Sequence, residues 1–229
     1  MIGGRIAAIV LAALLGIHLH ASAFAKGPPR ADTRPDATRL YNEGTERLRR
    51  GDVGPAVLLL SAAARLEPRA ADVRSNLEHA LRLSAQARGE DGTDETAPRW
   101  PLSADEGWWL SAAALATALA LSLTGRRLRY ASWGLLVTGV TLSAGLHVVE
   151  WREARAPEAV VITPTLSVEH GPEEAVRPTI VLGAGERVHL GREHGTRVEV
   201  LIGGASIGWA AREGLWRVAD AARYTSRLQ

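Results

Sequence analysis

Apolar positions along the chain form three continuous runs and two patterned regions, and each predicts a different element. The first run, Ile6 to Ile17, follows Arg5 and gives way to His18, His20 and the small-residue string Ala21-Ser-Ala-Phe-Ala25. A charged start, an apolar stretch of this length and overlapping A-x-A sites ending at Ala23 and Ala25 predict a signal peptide over 1–25, cleaved after Ala25. An uncleaved anchor is the alternative, although the run is short against the roughly 20 residues a spanning helix needs. Either way, the following residues leave the cytoplasm. The other runs, Trp108 to Thr124 and Tyr130 to Val149, hold no charge. Each is long enough to cross a hydrocarbon core, which predicts transmembrane helices over 103–124 and 130–150 joined by a cytoplasmic turn at 125–129. Ser103-Ala-Asp-Glu106 has the form of a capping box, and Pro101 upstream fits a helix start there. A helical hairpin buried in a soluble protein would need apolar elements all round it, and the rest of the chain supplies few.

The patterned regions lie on either side of this pair. Over 36–88 the residues Ala56, Leu59, Leu60 and Ala63 recur at helical spacing and bury one face. Gly51-Asp52 stops one helix and caps the next, Pro68 ends the second, and a third helix runs from about Ala71 to Ala87 with Leu77, Ala80, Leu81 and Ser84 on one side. Residues 89–102 open with the stretch GEDGTDETAP, whose acidic, Gly- and Pro-punctuated composition is that of a linker. After Pro157 the pattern shortens to β-type runs at Ala159–Ile162, Thr179–Leu182, Arg187–Leu190, Arg197–Ile202 and Ser206–Ala210. Gly203-Gly204 between the last two suits a tight hairpin. Residues 220–229 read as a tail.

Charge sets the orientation. Arg126, Arg127 and Arg129 crowd the link between the apolar runs, and the positive-inside rule makes that link cytoplasmic. Carrying three arginines through the bilayer centre would cost roughly 7–10 kcal/mol on the insertion scale. Arg152 and Arg155 beyond the second run reduce the contrast, but parity agrees: an exported segment enters, turns inside and exits. Trp108, Trp109 and Trp151 then form an outer interfacial belt, with Tyr130 and Trp133 at the inner end. The formal net charge of +2 over 229 residues, with Lys26 the only lysine, is no nucleic-acid surface. The chain has no cysteine, which excludes disulfides, zinc-thiolate sites and thiol nucleophiles.

Gly44, Gly51, Ala56, Leu60, Ala63 and Pro68 fall at the spacings of a tetratricopeptide repeat, and the 36–88 region resembles that family. Glu43 and Arg47 depart from it, standing where the family often has apolar or aromatic residues. One repeat plus a capping helix is fewer than the three units normally needed for stability, so support from a partner or self-association is expected. The resemblance implies a groove for a partner's peptide or helix; a helical spacer is the alternative. Over 158–219, Val168, Gly171 and Pro172, then Leu182, Gly185 and Val188, then Gly208 and Trp209, resemble the bacterial SH3-like domain in order and spacing. That family often binds peptidoglycan or peptides through loop aromatics. The turn Glu193-His-Gly-Thr196 has none, and Trp209 reads as core. Gly183-x-Gly185 lacks a third glycine and is a turn rather than a nucleotide loop.

The fold class expected is therefore a multi-domain membrane protein: a tetratricopeptide-like helical unit, a two-helix transmembrane hairpin and a small all-β SH3-like barrel. This order resembles the BatE-like membrane proteins of the Bat aerotolerance operon. The resemblance implies a non-enzymatic inner-membrane scaffold with both soluble modules in the periplasm. Its implied partners are von Willebrand factor A-domain Bat proteins and, indirectly, a MoxR-type AAA+ ATPase; an envelope sensor or anchor gripping peptidoglycan is the alternative. No cofactor is implied. His147 and Glu150 share a helix face at metal-ligand spacing but lack a third ligand and read as an interfacial pair. His170, His189 and His194 are scattered and expected to face solvent. No G-x-S-x-G, H-E-x-x-H or Walker-type sequence occurs, so an enzyme is not expected.

Overall fold

The computed structural model describes residues 36–90, 104–123, 129–173 and 180–227. The signal segment, Ser103 with its proposed cap, Arg126, Arg127 and most of the predicted linker lie outside them. Helix α1 spans Ala37–Arg49, α2 Val53–Leu66 and α3 Ala71–Arg88, close to the predicted bounds. The Thr38 amide donates to Asp36 Oδ1 at 2.9 Å and caps α1. Gly51 breaks the chain after it, and α3 ends on Gly89 in the left-handed conformation. Two apolar helices follow, α4 (Ala104–Leu123) and α5 (Arg129–Arg155). The remainder forms β1 (Glu158–Val161), β2 (Thr165–Glu169), β3 (Ile180–Gly183), β4 (Arg187–His194), β5 (Arg197–Ile202), β6 (Ala205–Ala211), β7 (Leu215–Arg217) and a short helix, α6 (Ala221–Ser226).

The strands make one seven-stranded antiparallel sheet in the order β3-β2-β6-β5-β4-β1-β7. All seven contribute to one apolar core that includes Ala159, Val161, Leu166, Val168, Leu182, Val188, Leu190, Val198, Val200, Ala210 and Leu215. The sheet thus curls on itself while its edges, β3 and β7, stay unjoined. Gly203 and Gly204, both at positive φ, turn β5 into β6 with Ile202 opposite Ala205, the hairpin expected of that pair. β2 and β7 were not expected as strands. β2 does alternate, with Leu166 and Val168 buried between polar neighbours, and its signal is as local as that of the other strands; β7, three residues long, has no room to alternate and is fixed by its pairing to β1.

Helix α2 is buried all round rather than on one face: ten of its fourteen residues, from Gly54 through Ala64, are buried. α1 and α3 cover two sides. β1 and α6 close the third, because Val160, Val218 and Ala221 belong to the same cluster as Leu58, Leu59, Leu60 and Leu77. β1 accordingly shows no alternation over its last three residues, with Ala159 and Val161 in the sheet core and Val160 in the helical core. The contact is close: a Cβ on Gly54 would lie 2.7 Å from the Val161 carbonyl oxygen and 2.9 Å from Ile162 Cα. Ser84 Oγ also donates to the Ala184 carbonyl at 2.7 Å, tying α3 to the β3–β4 turn. The cover that α2 lacks from α1 and α3 comes from the chain's own β1 and the segment after β7. α6, which read as tail, is part of it.

The charged residues at 43 and 47 take part in a local ion-pair group. Arg47 pairs with Glu43 at 3.1 Å and Asp52 at 3.3 Å, and the Tyr224 phenol of α6 packs beside this group. Tyr224 in turn meets Trp216 edge-to-face, with centroids 5.1 Å apart. Burial and the neighbouring carboxylates raise the Tyr224 phenol above its ordinary value, against the lowering effect of Arg47.

Helices α4 and α5 pack antiparallel. Gly107 faces Leu146 and Gly139 faces Leu115, with a Cβ on either glycine coming within 2.9 Å of those leucine side chains. Ser111 Oγ donates to the Gly139 carbonyl at 3.1 Å and touches Ser143 Oγ, and Ser132 Oγ donates to the Ala118 carbonyl at 2.8 Å. Among the described residues one helix, over Tyr130–Arg155, is long and apolar enough to cross a membrane, and only 11% of its apolar window is buried. α4, expected as a second span, does not reach that standard.

Candidate functional site

Two surfaces gather polar and aromatic side chains. The first is a cleft of about 440 Å³ between α1 and α3, lined by Tyr41, Thr45, Leu48, Arg49, Asn76 and His79. Its shape follows from the small residues behind it. A Cβ on Gly44 would lie 2.9 Å from Leu60 Cγ and 3.1 Å from Leu59 Cβ, so this glycine lets α1 settle against α2. That leaves the adjoining face of α1, with Tyr41, Thr45 and Leu48, turned toward α3. Asn76 spans the two helices, its Nδ2 donating to Tyr41 Oη at 3.2 Å and to Thr45 Oγ1 at 3.0 Å. Arg49 reaches Glu46 only at 3.7 Å and its side chain is 74% exposed, because Arg50 holds that carboxylate at 2.9 Å.

The second surface is the outer face of the sheet, and here the expectation for Trp209 is corrected. Trp209 is half-buried and lies outside the sheet core, on the opposite face from Val168, Val198 and Ala210. Its buried neighbours on β6, Gly208 and Ala210, point the other way. Its ring meets His194 edge-to-face at 6.4 Å, and the Arg192 guanidinium lies 5.8 Å from its centroid. Its cross-strand partners are Glu199 and Glu169. Arg197 grips Glu169 through both oxygens, at 2.5 and 3.2 Å. Arg192 holds Glu199 at 2.9 Å. The hydrogen bonds from Arg192, then Ser206, hold the Glu199 carboxyl down at about 2. An irregularity in the β4–β5 ladder between Leu190 and Glu193 brings Arg192 round to it. Trp209 of β6 thus stands beside the Glu193–Thr196 turn, against His194.

The remaining candidates divide clearly. Ala56, Leu60 and Ala63 are fully buried in α2, Gly51 lies in the α1–α2 turn and Pro68 in the α2–α3 turn. Val168, Leu182 and Val188 are core residues, Gly185 occupies the β3–β4 turn at positive φ, and Gly171 and Pro172 are half-buried after β2. These positions shape the fold and line neither surface. Arg129 opens α5. Glu150 accepts the Trp108 indole N–H at 2.9 Å, and His147 is exposed. Among the described residues no cluster of three or more His, Asp or Glu would hold a metal ion. His170, His189 and His194 are exposed.

The chain matches no protein-family model, no curated protein and no solved structure. The residues themselves therefore carry the functional reading. The cleft residues Tyr41, Thr45, Asn76 and His79 escaped sequence reasoning. Asn76, a polar residue among the apolar positions of α3, was the one signal that a polar seam joins the two helices.

Proposed function

We propose that the protein is a non-enzymatic membrane scaffold that receives a segment of a partner protein in the α1–α3 cleft. One observation carries this reading: six side chains from two helices line an open cleft, with Tyr41 and Leu48 seated on the helical core and Thr45, Arg49, Asn76 and His79 offering polar groups around them. In the same proposal, α4 and α5 cross the inner membrane as a hairpin, with a tetratricopeptide-like helical unit and an SH3-like barrel in the periplasm. The ion pairs at the head of the hairpin support this arrangement. Arg65 bonds to Glu153 at 3.0 Å and Glu158 at 2.7 Å, and Arg69 bonds to Glu106 at 3.0 Å, so both helices are tied to the soluble body. The resemblance to BatE-like proteins suggests von Willebrand factor A-domain membrane proteins as partners, with a MoxR-type ATPase reached through them.

The Trp209 surface favours a second reading, an envelope anchor whose aromatic face and flanking Arg192 grip peptidoglycan. Deleting the sheet cannot separate the two, because it would strip Val160 and Val218 from the helical core. A photo-crosslinking side chain at His79 or at Arg192 in intact membranes does. Adducts to a von Willebrand factor A-domain protein from position 79 alone support the scaffold; adducts to the sacculus from position 192 alone support the anchor. Absence of both refutes both. Reporter fusions at Glu90, Gly125 and Gln229 should read outside, inside, outside, and a cytoplasmic reading at either end sinks the hairpin.

A further inference from the structure

We propose that the segment bound in the α1–α3 cleft is acidic, with a carboxylate set beside an apolar side chain. This deepens the scaffold reading and rests on it. The argument is one of hydrogen-bond direction. Asn76 Nδ2 donates to both Tyr41 Oη and Thr45 Oγ1, so each hydroxyl is used there as an acceptor and keeps its own proton for a second bond. The Arg49 guanidinium adds further donors, and its 3.7 Å contact with Glu46 leaves it mostly in solvent. Tyr41, Thr45, Leu48, Arg49, Asn76 and His79 include no carboxylate. Cleft donors therefore outnumber cleft acceptors, and the one permanent charge among them is positive. A carboxylate is the group that accepts from several donors at once, including a guanidinium. Leu48, half-buried at the base, gives an adjoining apolar residue a place to sit. A phosphorylated segment would share the charge but would not favour Glu over Gln in an unmodified peptide.

The test uses the full chain in lipid nanodiscs and two fluorescein-labelled ten-residue peptides, one alternating Glu and Leu, the other alternating Gln and Leu. Fluorescence anisotropy should show saturable binding of the Glu peptide at least ~10-fold tighter than of the Gln peptide. Arg49→Gln should weaken the Glu peptide by ~10-fold or more while leaving the Gln peptide unchanged. Asn76→Asp, nearly isosteric, would turn both hydroxyl protons inward and add a negative charge, and should do the same. Unchanged far-UV circular dichroism keeps either loss from being an unfolding effect. Equal binding of both peptides, still blocked by crosslinking at position 79, overturns the acidic chemistry and leaves the cleft as the docking surface. No binding of either peptide, with no adduct from position 79, overturns both. Tighter binding after neutralising Glu90, Asp91, Asp94 and Glu95 assigns the cleft to the chain's own acidic stretch and overturns a partner as its occupant.

Discussion

Val160→Ala tests whether the helices and the sheet are one folding unit. Val160 is fully buried and pairs with Trp216 in the β1–β7 ladder, yet its side chain packs with α2 rather than with the sheet core. The substitution removes two methylene equivalents, about 1.6 kcal/mol of transfer free energy. A cavity left in the helical core that only partly relaxes brings the cost to ~2 kcal/mol. At about 1.4 kcal/mol per factor of ten, the opening equilibrium rises ~30-fold. Hydrogen exchange with the full chain in nanodiscs reads this directly. Amides of α2 near Leu58–Leu60 and amides of β5 should exchange faster by that same factor. Val181→Ala on the edge strand, where the side chain is 57% exposed, should change either by less than about 0.5 kcal/mol. If Val160→Ala accelerates exchange in the strands while α2 keeps its protection, the shared core is wrong.

The Glu199 carboxyl supplies a pH signature. Its folded value of about 2 lies below the ordinary 4.5, so its stabilisation is full above pH 4.5 and drains away as pH falls toward 2. Melting temperature should fall over that window, and Glu199→Gln should flatten that part of the profile; an unchanged slope excludes the carboxylate as its source. In the hairpin, the native absence of cysteine makes a Ser111→Cys, Ser143→Cys pair a clean probe. It should crosslink on mild oxidation, and adding Gly139→Leu should suppress that crosslink, because a side chain there meets Leu115. A gel shift reads the outcome, and crosslinking that survives Gly139→Leu contradicts the packing. Arg65→Met should cost no more than about 1 kcal/mol, since its ion pairs are partly solvated. It should nevertheless speed amide exchange around Glu153–Glu158, and unchanged exchange there would show that the ion pairs do not hold the body to α5.

The helices were legible because their signals are local. Glycine and proline stops and the 3.6-residue period place α1, α2 and α3 without reference to anything distant, whereas Asp52, expected to cap α2, makes no side-chain capping bond and pairs with Arg47 instead. Five of the seven strands and the Gly203-Gly204 hairpin showed for the same reason, and the alternation of Leu166 and Val168 in β2 is equally local, whereas the three residues of β7 declare themselves only once they are paired. The cleft was scarcely legible, since it needs Tyr41, Thr45 and Asn76 to meet across two helices. The sheet surface was misread because an isolated tryptophan between Gly208 and Ala210 carries no sign of which face it takes. The pairing of β6 with β5 and β2 decides that.

Sequence alone therefore determined the run of elements, the charge-free stretches with arginines between them, and the exclusion of cysteine chemistry, since each depends only on neighbours along the chain. Tertiary structure alone decided that the three-helix unit is completed by the chain's own sheet. Val160 and Val218 close over α2 from about a hundred residues or more downstream. A hydrophobic face records that it must be covered, and nothing along the chain records by what, because apolar burial has no direction.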